Sequence, residues 1–345
     1  MAETLDFDLN DYAAFGLWEE HALAALRDEG LVAAGVPDDD PRRAHGHLLR
    51  AEVAVSRARL DEVQDWLVRA SPARDPFVEA HSLSLRARIA LKRARNEEAA
   101  QMYEEAYRRM LAIGDELGTA HCMHGLGEAE KLLGRLEASV THHEEASRRF
   151  EAIGHRLDAV RTRTGLADVL RRLHRTAEAV AILEQTVAET RHMGNPHAVA
   201  VGVTTLGDIA RAEGRLDDAE AHYLEVLAEL QALASEEVIF PQLNLALVEI
   251  ARGNYSRARD QLRAIRRDLE AGHRRGYLAF FIAGIWACEA GLGLWDLAHE
   301  RHRELAELLV EVAVVDDDLA WCCEEVARIA ERDGDARALA EARAL

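Results

Sequence analysis

Aromatic residues make up only 5% of this 345-residue chain, and proline occurs six times. Runs of β-branched residues are few as well, so little in the chain opposes helix formation. Cysteine is rarer still: Cys122, Cys288, Cys322 and Cys323. No Cys-x-x-Cys pair occurs, and adjacent Cys322 and Cys323 are poor partners for each other in a helix. That excludes a disulfide framework and a zinc knuckle. No apolar run approaches the 18 residues of a membrane-spanning helix, and Met-Ala-Glu-Thr-Leu-Asp lacks the basic start and apolar core of a secretory signal. A reducing cytoplasm is the expected setting. Positive charge is in the minority, with 42 Lys and Arg against 62 Asp and Glu and a formal net charge of −20. Such a surface repels phosphate backbones and anionic lipid, which argues against nucleic-acid and membrane partners.

What is abundant is Ala, Leu, Glu and Arg, residues that lose little side-chain entropy in a helix. The acidity is uneven. Residues 1–40 hold eleven Asp and Glu against Arg27, giving −10 of the −20. We read them as an acidic N-terminal segment whose residues 8–29 form a capping helix, with Tyr12, Phe15, Leu17 and Trp18 as its apolar part.

The rest of the chain repeats itself. Residues 126–138 and 206–219 share a Leu-Gly start, a Gly-Arg-Leu turn and a following Ala, 80 residues apart, and Leu166-Ala167-Asp168 falls halfway. The register places a small residue on each first helix, at Ala51, Ala87, Gly127, Ala167, Gly207, Ala246, Gly284 and Ala327. Turns follow at Ala58, Ala94, Gly134, His174, Gly214, Gly253, Gly293 and Gly334, spaced by 36, 40, 40, 40, 39, 40 and 41 residues. Eight copies fit. A small side chain lets two helices cross closely, and a turn residue with φ > 0 suits glycine. Small residues at Ala99, Ser139, Ala179, Ala219, Ala258 and Ala298 let each second helix dock on its first. Tyr103, Leu183, Tyr223 and Leu262 fill the space between repeats, and His143 takes the same position. Gly114, Gly154, Gly194 and Gly272 end second helices, and Pro41, Pro76 and Pro196 begin first ones. In the repeat at 284–298, Gly291-Leu292-Gly293-Leu294 reads as a turn with two extra residues that sets its helices at an odd angle.

Leu206, Gly207, Gly214, Ala219 and Tyr223 carry a resemblance to the tetratricopeptide repeat, which extends over residues 42–340. The period near 40 is similar to the longer-helix variety found in bacterial signalling regulators and adaptors. The resemblance implies an all-α, right-handed solenoid of about eight helix pairs over residues 41–345, behind the segment 1–40. It also implies that first helices line a concave face with their second, fifth, ninth and twelfth positions.

Three zones follow from that register. His45, His81 and His121 take the second position of consecutive repeats, with His124 a turn further on. They suit either metal binding and pH sensing or plain solvation. Glu128, Asp168 and Asp208 take the ninth position and Lys131, Arg171 and Arg211 the twelfth, a charged rail. It either hydrogen-bonds an extended peptide or neutralises itself. Phe240, Leu243, Leu247, Ile250, Leu278, Phe281, Ile285 and Trp321 form an apolar zone. That zone is a cradle for a partner helix, a self-association surface, or a set of side chains packed on one another. Chaperone-adaptor repeats grip a C-terminal carboxylate with Lys and Asn at the fifth and ninth positions. Here those positions hold His124/Glu128, Thr164/Asp168 and Thr204/Asp208, so that clamp is absent.

Catalytic patterns are missing. The chain has no Gly-x-Ser-x-Gly, no Walker pattern and no His-Glu-x-x-His, and Gly125-Leu126-Gly127 is a repeat anchor. No cofactor and no metal site are implied. The expected function is a non-catalytic scaffold or adaptor that binds a segment of another protein in its groove. The alternative is a regulatory sensor that controls a neighbouring kinase, protease or transcription factor through a peptide or small ligand.

Overall fold

The computed structural model describes residues 35–37, 39–56, 59–71, 74–271, 275–311 and 317–345. The capping helix expected over 8–29 lies outside them. The described residues form sixteen α-helices and no strand. They divide into two compact units, one ending at Met193 and the other starting at Gly194. The first holds α1 (Pro41–Ser56), α2 (Leu60–Ala70), α3 (Pro76–Lys92), α4 (Asn96–Ile113), α5 (Glu116–Leu132), α6 (Leu136–Ala152), α7 (Arg156–Arg172) and α8 (Thr176–His192). The second holds α9 (Pro196–Ala212), α10 (Leu216–Ala232), α11 (Ile239–Ala251), α12 (Tyr255–Ala271), α13 (Arg275–Gly291), α14 (Trp295–Glu311), α15 (Asp317–Asp333) and α16 (Ala336–Ala344).

The period has a simple origin. α5, α6 and α7 are each 17 residues long and three-residue turns join them, so one helix pair with its two turns fills forty residues. Seven of the eight expected turn positions are left-handed, namely Ala94, Gly134, His174, Gly214, Gly253, Gly293 and Gly334. Ala58 lies outside the described residues. Ala94 (φ 56°) and His174 (φ 58°) hold that conformation without glycine, against the steric cost of a Cβ there. The turn at 292–294 is also three residues long, because α13 runs on through Gly291. The expected two-residue insertion is therefore helix.

Close crossings decide the packing. Ala99, Ser139, Ala179, Ala219, Ala258 and Ala298 are all fully buried, as are Leu183 and Tyr223. A Cβ added to Gly207 would stand 2.6 Å from the Tyr223 ring, so the ring fills the space that glycine leaves. Ser139 Oγ, on the second helix of its pair, donates to the Gly127 carbonyl at 2.7 Å. Three first helices, α3, α5 and α9, have side-chain caps at their starts. Asp75, Asp115 and Asn195 each accept from the backbone N–H three residues on, at 2.9–3.1 Å.

The two units bury different material. In the first, first helices alternate buried small residues with half-exposed polar ones. In the second, every residue from 281 to 290 on α13 is buried. α13 has no polar face, as a helix enclosed on all sides requires. Side chains of α11, α12, α14 and α15 join it in one core around Trp286.

Candidate functional site

The polar positions of the first unit converge on one face of α3, α5 and α7. His45 lies 3.6 Å from Asp75, His81 2.7 Å from Asp115, and His121 4.0 Å from Asp158. Asp75 and Asp115 are N-caps of the next first helix, and Asp158 sits in the first turn of α7. Each histidine therefore bridges neighbouring repeats at their helix starts. In the second unit His197 does the same, 3.1 Å from Glu237. Each of these histidines thus faces a carboxylate. Among the described residues no group of three or more His, Cys, Asp or Glu could hold a metal ion.

His124 stands behind this row. Thr162 donates its hydroxyl hydrogen to the Asp158 carbonyl at 2.8 Å, so the contact with His124 Nδ1 at 3.2 Å requires the imidazole to donate. That selects the Nδ1–H tautomer. Burial pulls the pKa of His124 well below the ordinary value, and Arg161 adds to the effect. Burial likewise brings His121 down to about 4, against Asp158 and with help from Arg161 and Arg88. Both stay neutral near pH 7.

The rail is paired internally. Lys131 Nζ is 2.9 Å from Glu128 and 3.6 Å from Asp168, and Arg171 is 3.0 Å from Asp168. Burial works against the Glu128 charge, but His143, 3.3 Å away, and Lys131 hold its carboxyl well below the usual range. These four side chains keep partial exposure, between 16% and 32%. Arg88, at the ninth position on α3, was not anticipated. Its Nε and Nη2 are buried without a hydrogen-bond partner. The ninth-position rule pointed to it one repeat earlier than Glu128.

The rail changes character in the second unit. Asp208 accepts from Tyr223 Oη at 2.7 Å. Arg211 is 8% exposed, pairs with Asp318 of α15 and lies 5.4 Å above the Trp321 ring. Tyr255 Oη donates to Glu325 of the same helix at 2.7 Å, and Arg328 holds that carboxylate too. α15 thus reaches back to α9 and α12.

Most of the apolar zone is buried. Leu243, Leu247, Ile250, Phe281 and Ile285 are at most 7% exposed and belong to the core around Trp286. Phe240, Leu278 and Trp321 pack against that core and keep some exposure. The reason is coverage: α15 contributes Leu319, Cys322 and Val326 to the same cluster. His299 and His302 both face Glu341 of α16, at 2.6 and 3.9 Å.

A family model described as tetratricopeptide repeat matches residues 78–152 and 119–188. The chain contains tetratricopeptide-type repeats. Among solved structures this repeat protein resembles a Rap protein complexed with competence and sporulation factor, at 15% identity, covering 97% of this chain and 94% of that one with a TM-score of 0.75. It also resembles aspartyl phosphate phosphatase F from Bacillus subtilis, at 11% identity, covering 99% and 93% with a TM-score of 0.66. A third is the Rap conjugation gene regulator of the plasmid pLS20 in complex with the Phr* peptide, at 14% identity, covering 87% and 91% with a TM-score of 0.59. At such identities the likeness is one of fold. No curated protein matches the sequence. No described helix is long and apolar enough to cross a membrane.

Proposed function

We propose that this repeat protein is a non-catalytic interaction protein that takes up an extended polypeptide segment along the polar face of α3, α5 and α7. The observation that carries the reading is the face itself. Glu128, Lys131, Asp168 and Arg171 offer donors and acceptors in alternation, half-exposed, with Arg88, His124 and Thr164 beside them. An extended backbone presents alternating N–H and C=O groups, so such a rail matches it without regard to sequence. The Arg171–Asp168 pair, at 25% and 32% exposure the more open one, is worth roughly 1 kcal/mol, so exchanging it for a peptide group costs the fold little. The side chains are held in mutual ion pairs and not in a nucleophile–base arrangement, which supports a non-catalytic role. Phe240, Leu278 and Trp321 remain the accessible part of the apolar contact. Four free cysteines, all buried, fit a reducing cytoplasm.

The test is capture from native lysate by wild type and by Asp168→Lys, read by mass spectrometry, with circular dichroism to check the fold. One polypeptide recovered by wild type and lost by the folded variant is the expected result. Equal recovery by both removes the polar face as the site. A second reading, a sensor that passes a peptide signal to a neighbouring effector, is favoured by the likeness to structures holding the Phr* peptide and the competence and sporulation factor. A captured short peptide that changes the proteolytic protection of the chain would select it.

A further inference from the structure

In the first unit the ninth position of the first helices reads Glu52, Arg88, Glu128 and Asp168, on α1, α3, α5 and α7. Arg88 is the one cation in that row. The charges around it are matched. Glu128 is held by Lys131 and His143, and Asp168 by Arg171 and Lys131. Arg161, at the second position of α7, pairs with Asp158 at 2.9 Å. Asp75 and Asp115 accept from the helix starts they cap and face His45 and His81. Glu52 is partnered as well. Among the described residues, no hydrogen bond or ion pair reaches the Arg88 guanidinium. Its Nε and Nη2 are buried while the side chain as a whole is partly exposed, so Nη1 is the nitrogen at the surface. Arg88 and Arg161 both bear on His121, from the helices on either side of α5. Beside them, His124 gives its Nδ1–H to Thr162, which leaves Nε2 as an acceptor. One open donor and one open acceptor thus stand on the polar face, apart from the closed pairs of the rail.

We propose that the segment taken up by the polar face carries an Asp or Glu side chain that docks on Arg88, while a neighbouring backbone N–H of that segment donates to His124 Nε2. The two oxygens of a carboxylate match two N–H bonds of a guanidinium, and such a pair is stronger than a hydrogen bond between neutral groups. Partial burial of the guanidinium keeps water from it and strengthens the bond further. One cation is left over, so one negative charge completes the row. The second charge of a phosphate group would have no counterpart. The neighbours of Arg88 set the register. One helix to either side, an acidic side chain would meet Glu52 or Glu128, and that repulsion excludes the shifted placement. The face continues past Arg88 to His45 and Glu52 on α1, so the segment runs on and the carboxylate is a side chain's, not a chain end's. The rail holds any extended backbone, whereas Arg88 chooses among sequences and fixes where the chosen one sits. The acid has this place only in a segment that lies along the polar face, so the assignment rests on that reading of the function.

The experiment is phage selection on the full chain from two random peptide libraries, one tethered through its C-terminus and one with a free C-terminus. Wild type is compared with Arg88→Glu, Arg88→Gln and Asp168→Lys, each checked for fold by circular dichroism. Wild type should enrich tethered peptides with Asp or Glu at one fixed position, and Arg88→Glu should enrich Lys or Arg there. In a selected peptide made synthetically, exchanging the acid for its amide should weaken binding to wild type about tenfold or more, and leave binding to Arg88→Gln nearly unchanged. Enriched peptides without a fixed acid overturn the proposal, as does an acid that Arg88→Glu still selects. Enrichment confined to the free-ended library overturns it too, and assigns a terminal carboxylate instead. If peptides without a fixed acid are lost by Asp168→Lys, the polar face stands as the site and only the role of Arg88 falls. Selected peptides that Asp168→Lys binds with full affinity remove the polar face itself, and no enrichment by wild type overturns both. If Arg88→Glu does not fold, the amide exchange on wild type and Arg88→Gln still decides.

Discussion

α5 and α13 occupy the same place in their repeats and put it to opposite uses. At the second, fifth, ninth and twelfth positions α5 carries His121, His124, Glu128 and Lys131, all partly exposed. α13 carries Leu278, Phe281, Ile285 and Cys288, of which the last three are buried. The repeat register fixes where a side chain stands around its helix. It does not fix whether a later helix covers that side, and α15 does so in the second unit. The same positional rule therefore yields a candidate recognition surface in one unit and a core in the other.

The comparison breaks most easily at the ninth position. Ile285→Ala should destabilise the second unit by about 2–5 kcal/mol, the usual cost of a buried branched side chain. Asp168→Ala, at the same register in the first unit, should cost no more than about 1 kcal/mol. Chemical denaturation of the two variants measures the contrast, and equal losses would mean that α7 is as enclosed as α13. Gly207→Ala asks whether the crossing geometry is shared. With the Tyr223 ring 2.6 Å from the new methyl, a loss of about 1–3 kcal/mol is expected from overpacking. No loss would mean that the ring has somewhere else to go.

The histidines of the first unit sharpen the contrast through pH. The pKa values of His121 and His124 are depressed on folding, to about 4 for His121 from an ordinary 6.5. The unfolded chain therefore takes up protons first as the pH falls. Stability present near neutral pH should be lost between pH 6.5 and 4, and His121→Gln or His124→Gln should flatten that slope. A thermal melt across that interval reads the effect, and an unchanged slope in both variants would remove it. The smallest effect is a gain. His174→Gly relieves a left-handed residue and should stabilise by about 0.5–1 kcal/mol, seen as a raised melting temperature.

Much of this fold is legible in the sequence because turns and crossings leave residues of a distinct size. The forty-residue period located Ala94 and His174 as turns although neither is glycine, since spacing carries the signal when residue type does not. The acids that hold His45, His81 and His121 were not legible. Each lies 30 to 37 residues further on, at the start of the next first helix, and that pairing depends on how repeats stack. Burial of Leu247 and Ile250 depends on distant cover in the same way. One clue was present: Phe-Phe-Ile-Ala-Gly-Ile-Trp-Ala-Cys in α13 has no polar side to turn toward water. Arg88 is legible from the register, since it stands one forty-residue period before Glu128.

Arg211 and Asp318 are 107 residues apart, and Tyr255 and Glu325 are 70. Repeat arrays ordinarily touch only their neighbours and can assemble from any point outward. The second unit lacks that freedom, because contacts of such separation must await loop closure. On the ribosome its earlier helices would emerge and stay incomplete until Glu325 had left the exit tunnel, while the first unit could already be finished.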